Sequence, residues 1–180
     1  MSYARPTTLP DALAALAQGA RVLAGGTDLY PLAGAGLAGP VLDVTGLPGM
    51  VGIGQTPEGL RIGACTSWSA VAEAALPPAL AALQQAARVV GGRQIQNAGT
   101  VGGNLCNASP AADGMPPLLA LEAEVELVSA AGSRRMPLAG FIAWAAATAL
   151  AAGEMLVAVH LPATALQGFR PLEKLGRPIW

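Results

Sequence analysis

Residues 94–113, QIQNAGTVGGNLCNASPAAD, decide how this chain is read. The stretch holds few groups able to catalyse and many able to grip. Thr100, Gly102, Gly103, Asn104 and Ser109 set hydroxyls, an amide and two side-chain-free backbone positions within a short span. Without a Cβ, glycine reaches positive φ and lets backbone N–H groups close on an anion as a concave nest. The stretch therefore reads as a binding loop suited to the oxygen-rich part of a nucleotide.

A loop of similar make-up lies upstream. Residues 21–24, RVLA, read as a short strand running into Gly25-Gly26-Thr27-Asp28, where two glycines free the backbone and Thr27 and Asp28 can cap the next turn or helix. Alone, this is an ordinary strand-to-helix turn. Paired with the first loop, it offers backbone donors to a dinucleotide pyrophosphate, whose two negative charges would find few cations in this chain. Two glycine turns that never meet would have the same sequence. Residues 34–39, GAGLAG, match G-x-G-x-x-G literally, but Pro40 comes at once and residues 41–44, VLDV, read as a strand. A Rossmann motif leaves a strand and opens a long helix, so this segment reads as a loop.

The 180 residues are enough for one large domain or two small subdomains sharing a site. The chain is 53% hydrophobic and only 12% charged, about half the usual charged fraction. Two accounts stay open, a surface covered by partner subunits or a general bias toward Ala and Gly. The longest apolar run, residues 141–152, is too short to span a bilayer. A net charge of −1 without a basic run argues against nucleic acid as a partner. Nothing near Arg5 resembles the apolar core of a signal peptide, so the expected location is cytoplasmic. Cys65 and Cys106 lack iron–sulfur or zinc spacing, and a single histidine, His160, excludes His-rich metal sites.

Local signals then place the elements. Thr8, Pro10, Asp11 and Gly19 bracket a helix over 8–18. Strands are expected at 50–55 and 60–64 around a Thr56–Gly59 turn, and Ser67 caps a helix to about Ala75. Further helices are expected from Pro78 to Gly91, over 116–121 and over 141–147, and strands over 124–129, 155–161 and 169–175. Helices and strands alternate without regular βαβ spacing, which gives an α+β class.

Three separated motifs in order carry a resemblance: LAGGTDLYPL at 23–32, IGACTSWSAV at 62–71, and IQNAGTVGGNLCNASPAAD at 95–113 with PLLAL at 117–121. Together they resemble the FAD-binding subunit or domain of the molybdenum hydroxylases, the family of xanthine dehydrogenase and the carbon monoxide dehydrogenase medium subunit, from Thr7 to Arg177. The resemblance implies an FAD-dependent oxidoreductase subunit with two lobes, a small N-terminal βαβ-like one over 1–55 and a larger mixed one over 56–180. FAD would lie between them. Leu23, Ala24, Gly25, Gly26, Thr27, Asp28 and Leu29 would wrap the diphosphate, with Thr100, Gly102, Gly103 and Asn104 meeting it from the second lobe. Asp113, Leu156 and Lys174 match an acidic, an apolar and a basic FAD contact. As residues, Asp113 reads equally as a turn cap, Leu156 as core and Lys174 as an ordinary exposed lysine.

By the same resemblance, an iron–sulfur subunit and a molybdopterin subunit are the expected partners, with electrons passing through FAD to an external acceptor. No catalytic residue or metal ligand is expected on this chain. Gln96 stands where the family often carries Arg, Val90 where some members place an aromatic, and the family's C-terminal domain is expected to be absent. A flavin-free scaffold subunit and a stand-alone flavoenzyme are the alternatives.

Overall fold

The computed structural model describes residues 2–34, 36–144 and 146–167; Lys174 and the strand expected over 169–175 lie outside them. The first unit is built from β1 (Tyr3–Ala4), α1 (Leu9–Ala17), β2 (Arg21–Leu23), the single turn α2 (Leu29–Leu32) and β3 (Val41–Asp43). Thr8 starts α1 by accepting from the Asp11 N–H, and Gly19 leaves it at φ +80°. The three strands form a parallel sheet in the order β1-β3-β2, with Val41 opposite both Tyr3 and Arg21. Asp43 ends its central strand and gathers donors there, the Tyr3 hydroxyl and both the N–H and hydroxyl of Thr45.

The second unit begins with the hairpin β4 (Ile53–Thr56) and β5 (Gly59–Gly63). Helices α3 (Trp68–Glu73), α4 (Ala81–Val89), α5 (Arg93–Ala98), α6 (Val101–Asn107) and α7 (Met115–Ala120) come next. Then come β6 (Glu124–Ser129), β7 (Gly132–Pro137), α8 (Leu138–Phe141), the small hairpin β8 (Ile142–Trp144) and β9 (Ala147–Thr148), β10 (Met155–Pro162) and α9 (Ala163–Leu166). The antiparallel sheet runs β4-β5-β10-β6-β7. Strand β10, MLVAVHLP, is central and buried along nearly its whole length, which explains why its sequence is an almost unbroken apolar run rather than an alternation. Among the described residues, no helix is long and apolar enough to cross a membrane.

One apolar core joins the units, taking Leu42, Val44 and Leu47 from the first and Ile62, Trp68, Leu83, Leu105 and Val159 from the second. This mixed architecture is the α+β class expected. Two local expectations are corrected. Residues 94–107 are not a loop but two short helices broken at Gly99, because Thr100 begins a new helix by accepting from the Gly103 N–H at 3.0 Å. The helix expected over 141–147 stops at Phe141. That side chain is fully buried, its carbonyl accepts from Ala149 N–H at 2.8 Å, and the chain turns back through β8 and β9. Tertiary pairing there overrides alanine's helix propensity. Strand β7, exposed along most of its length, has no apolar alternation to announce it.

Trp68 is 1% exposed and its ring occupies the space above Gly114, where an added Cβ would fall 2.1 Å from the ring. Trp68→Ala is expected to lower unfolding free energy by about 3–5 kcal/mol, seen as a reduced urea midpoint at unchanged m-value. A loss below about 1 kcal/mol would show that Trp68 does not anchor this core.

Candidate functional site

The two glycine loops meet. Leaving β2, the chain turns at Gly26 with φ +70°, and the Tyr30 N–H returns to the Gly26 carbonyl at 2.9 Å. Gly25 lies directly on the α5–α6 junction: a Cβ there would sit 1.9 Å from the Ala98 carbonyl oxygen. The backbone N–H groups of Gly25, Gly26, Thr27 and Asp28 have no acceptor among the described residues. They form a row of free donors on the first loop.

The second glycine pair has a different physical role. Neither Gly102 nor Gly103 has positive φ. The Gly102 N–H donates to the Ala64 carbonyl at 2.8 Å, and the Gly103 N–H to Thr100 Oγ1 at 3.0 Å. A Cβ on Gly102 would fall 2.7 Å from the Ala64 Cβ. These glycines let α6 pack against the end of β5, and their amides are consumed within the protein. The successive unpaired N–H groups that a nest requires are offered here by the first loop, not by Gly102 and Gly103.

Between the loops lies a cavity of about 560 Å³, within the ~300–1,000 Å³ common for small-molecule sites. Its wall brings together Leu23, Ala24, Gly25, Gly26, Thr27, Asp28, Leu29, Thr100, Gly102, Gly103, Asn104, Asp113 and Leu156. Lys174 lies outside the described residues. Cys106 and Asn107, inside the 94–113 stretch but not singled out as contacts, also line the wall, and sequence reasoning missed Met50, Cys65, Trp68, Leu150 and Glu154 there. Cys65 and Trp68 lie inside the ACTSW motif and were within reach of it; Leu150 and Glu154 carry no local signal. His160 is not on this wall: its Nε2 lies 2.7 Å from Glu126 Oε2.

The charged side chains lining the cavity are Asp28, Asp113 and Glu154, with no Lys or Arg among the described lining residues. Burial, then the charge of Asp43, pushes the Cys65 thiol up to about 12, so it lines the wall as a neutral group. Asn104 Oδ1 is buried without a hydrogen-bond partner, and Asp113 is exposed with no side-chain bond among the described residues. The site thus offers backbone donors on one loop and carboxyl or amide acceptors elsewhere. Such a set suits a ligand with an anionic segment and several O–H or N–H groups.

Arg134 fixes one wall. Its Nε and Nη2 each reach a Glu154 carboxylate oxygen at 2.7 Å, and Nη2 also donates to the Ala149 carbonyl at 3.1 Å. The Ala151 N–H donates to the same carboxylate at 2.8 Å. Arg134 first, then the Ala151 amide, holds the Glu154 carboxyl down at about 2. The departure at Gln96 also has a structural account: the side chain is buried, and its Nε2 donates to the Arg88 carbonyl at 2.8 Å, closing the end of α4 beside Val90.

Residues 1–164 match the family described as "FAD binding domain in molybdopterin dehydrogenase". The chain is 38% identical over 175 residues to a xanthine dehydrogenase FAD-binding subunit of Escherichia coli O157:H7, covering 89% of this chain and 57% of that protein. It is 33% identical over 184 residues to a carbon monoxide dehydrogenase medium chain of Afipia carboxidovorans, covering 98% of this chain and 64% of the relative. The chain therefore spans less than two thirds of these relatives' length. Among solved structures, CO dehydrogenase from Oligotropha carboxidovorans superposes with a TM-score of 0.81 at 31% identity, covering 90% of this chain and 59% of that one. Quinoline 2-oxidoreductase from Pseudomonas putida 86 does so at 0.82 and 28%, covering 90% and 59%.

Because the Glu154 pKa is depressed in the fold, its stabilisation is fully present above its ordinary value of 4.5 and is lost as pH falls through about 2. Hydrogen exchange of residues 149–154 is expected to quicken as pH drops from 4.5 toward 2, after correction for the intrinsic rate. Glu154→Gln should show fast exchange across that whole window. Parallel acid profiles for the two proteins would remove Glu154 as the group responsible.

Proposed function

Because the chain belongs to the family of FAD-binding domains of the molybdopterin dehydrogenases, we propose that it holds FAD in the cavity between its two glycine loops, as the flavin-bearing part of a molybdenum-dependent hydroxylase or dehydrogenase. The observation that carries this reading is the convergence of both loops on one cavity, with free N–H groups on Gly25 to Asp28. Those donors would hold the diphosphate with no cation among the described lining residues. Asp113 and Asn104 would accept from hydroxyl or ring N–H groups, and Leu150 and Leu156 would supply apolar wall. When bound, FAD supplies the redox chemistry; the chain's part is to bind, orient and shield it.

Within this proposal, an iron–sulfur subunit delivers electrons from a molybdopterin subunit and an external acceptor removes them. The lobes are residues 1–55 and 56–180, with β4 lying across the division. Lys174 remains a proposed basic contact. No side chain on the cavity wall is assigned to act on the organic substrate.

The purified chain is expected to show oxidised-flavin absorption, to retain it through gel filtration and to release FAD on denaturation. Gly25→Ala places a methyl group on the Ala98 carbonyl and should weaken FAD binding at least about tenfold, equivalent to about 1.4 kcal/mol. Titration by flavin fluorescence measures the affinity, and a thermal melt separates this effect from unfolding. A wild-type chain that takes up no FAD at high concentration would overturn the reading.

A further inference from the structure

Asp28 occupies the cap position of α2, yet its carboxylate makes no cap bond to that helix. It accepts instead from Asn107 Nδ2 at 3.1 Å, across 79 positions of sequence. Asn107 is the last residue of α6, and the next residue, Ala108, has left-handed φ +47°. A non-glycine residue adopts this conformation only when its surroundings enforce it. Here the Ala108 N–H bonds the Asn104 and Leu105 carbonyls, and its own carbonyl accepts from Ala146 N–H at 2.9 Å. The end of α6 is therefore pinned on both sides, with Asn107 presented to Asp28. The bond between the two side chains is solvent-exposed and both residues belong to the cavity wall, which places it at the rim.

Electrostatics argues against the Asp28 carboxylate, as distinct from its backbone N–H, as a direct phosphate contact. With Asp28, Asp113 and Glu154 as the charged lining residues, a carboxylate touching an anionic diphosphate would repel it. The amide of Asn107 occupies that carboxylate and joins loop to loop. Parting the loops requires this bond to break.

Building on the FAD-binding reading, we propose that Asp28 and Asn107 form a clasp across the rim that sets how fast the bound dinucleotide escapes. They act as positioning residues. The test uses the full chain loaded with FAD, diluted into an excess of a flavin-stripped FAD-dependent oxidase as a trap, with release followed by flavin fluorescence. Asp28→Ala and Asn107→Ala should each speed release about three- to tenfold, the size of one ordinary net hydrogen bond at an exposed rim. The double variant should be no faster than either single, the signature of one shared interaction. Asp28→Asn keeps an acceptor for Asn107 and removes the charge, so its release rate should stay within about twofold of wild type.

Release from Asp28→Asn as fast as from Asp28→Ala would overturn the clasp, as would independent effects that multiply in the double variant. Hydrogen exchange on the flavin-free chain supplies the second readout. Either alanine variant should loosen residues 24–30 and 104–108 together, whereas loosening of the mutated segment alone would also overturn it. A wild-type chain that retains no FAD overturns the functional reading and the escape role with it, while coupled exchange in the flavin-free chain would still identify the loop-to-loop bond.

Discussion

Backbone meets backbone where the α5–α6 junction lies between the first loop and the end of β5. Gly25 approaches the Ala98 carbonyl so closely that a Cβ would overlap it, and Gly102 does the same against Ala64. Around this point the Trp68 N–H bonds the Gly99 carbonyl and the Val101 N–H bonds the Thr66 carbonyl. Much of the molecule depends on that three-way approach. It sets the spacing of the units, orients α6 and leaves the cavity as the space the three segments do not fill. Glycine is required at both contacts by volume, and only Gly26, which turns the first loop, by positive φ.

A cavity with no cation among its described lining residues leaves attraction of an anion to the backbone. Free N–H groups in a fixed loop attract an anion without the mobile point charge that a lysine would add, and they do not titrate. The acidic residues on the wall are handled individually. Glu154 is neutralised by Arg134 from outside, Asp28 is bonded by Asn107, and Asp113 stays open to solvent. The buried Cys65 thiol adds polarizable surface and no charge. Selectivity in such a site rests on shape and on the order of donors and acceptors along it.

Local chemistry was legible in the sequence wherever one residue sets one geometry. Thr8 and Gly19 bracketed α1, Thr56 to Gly59 marked the β4–β5 turn, Ser67 marked α3, and residues 155–161, read as an alternating strand, are β10, though buried on both faces. The residues at 94–107 misled for a physical reason. Glycines that serve close packing inside a helix look in sequence like glycines that free a loop, and only the position of Ala64 separates the two. The hairpin at 142–148 is dictated by the burial of Phe141, and β7 by its pairing with β6. Of the site, motif order supplied Leu23 to Leu29 and Thr100 to Asn104 on the cavity wall. Glu154 and Leu150 were invisible because long-range folding alone brings them there, and Asn107, although inside the motif, carries no local sign of its bond to Asp28.

Strand order in the larger sheet has a temporal meaning. Strands β5 and β6 do not pair with each other; each pairs with β10, which comes after both in the chain. During synthesis the two hairpins β4–β5 and β6–β7 emerge first, each with an apolar edge lacking its neighbour. The sheet closes only when residues 155–162 leave the ribosome. Until then the nascent chain has two strand edges still lacking their native neighbour, the kind of edge that can pair with other chains. The central strand is thus also a late-acting lock on the folding order.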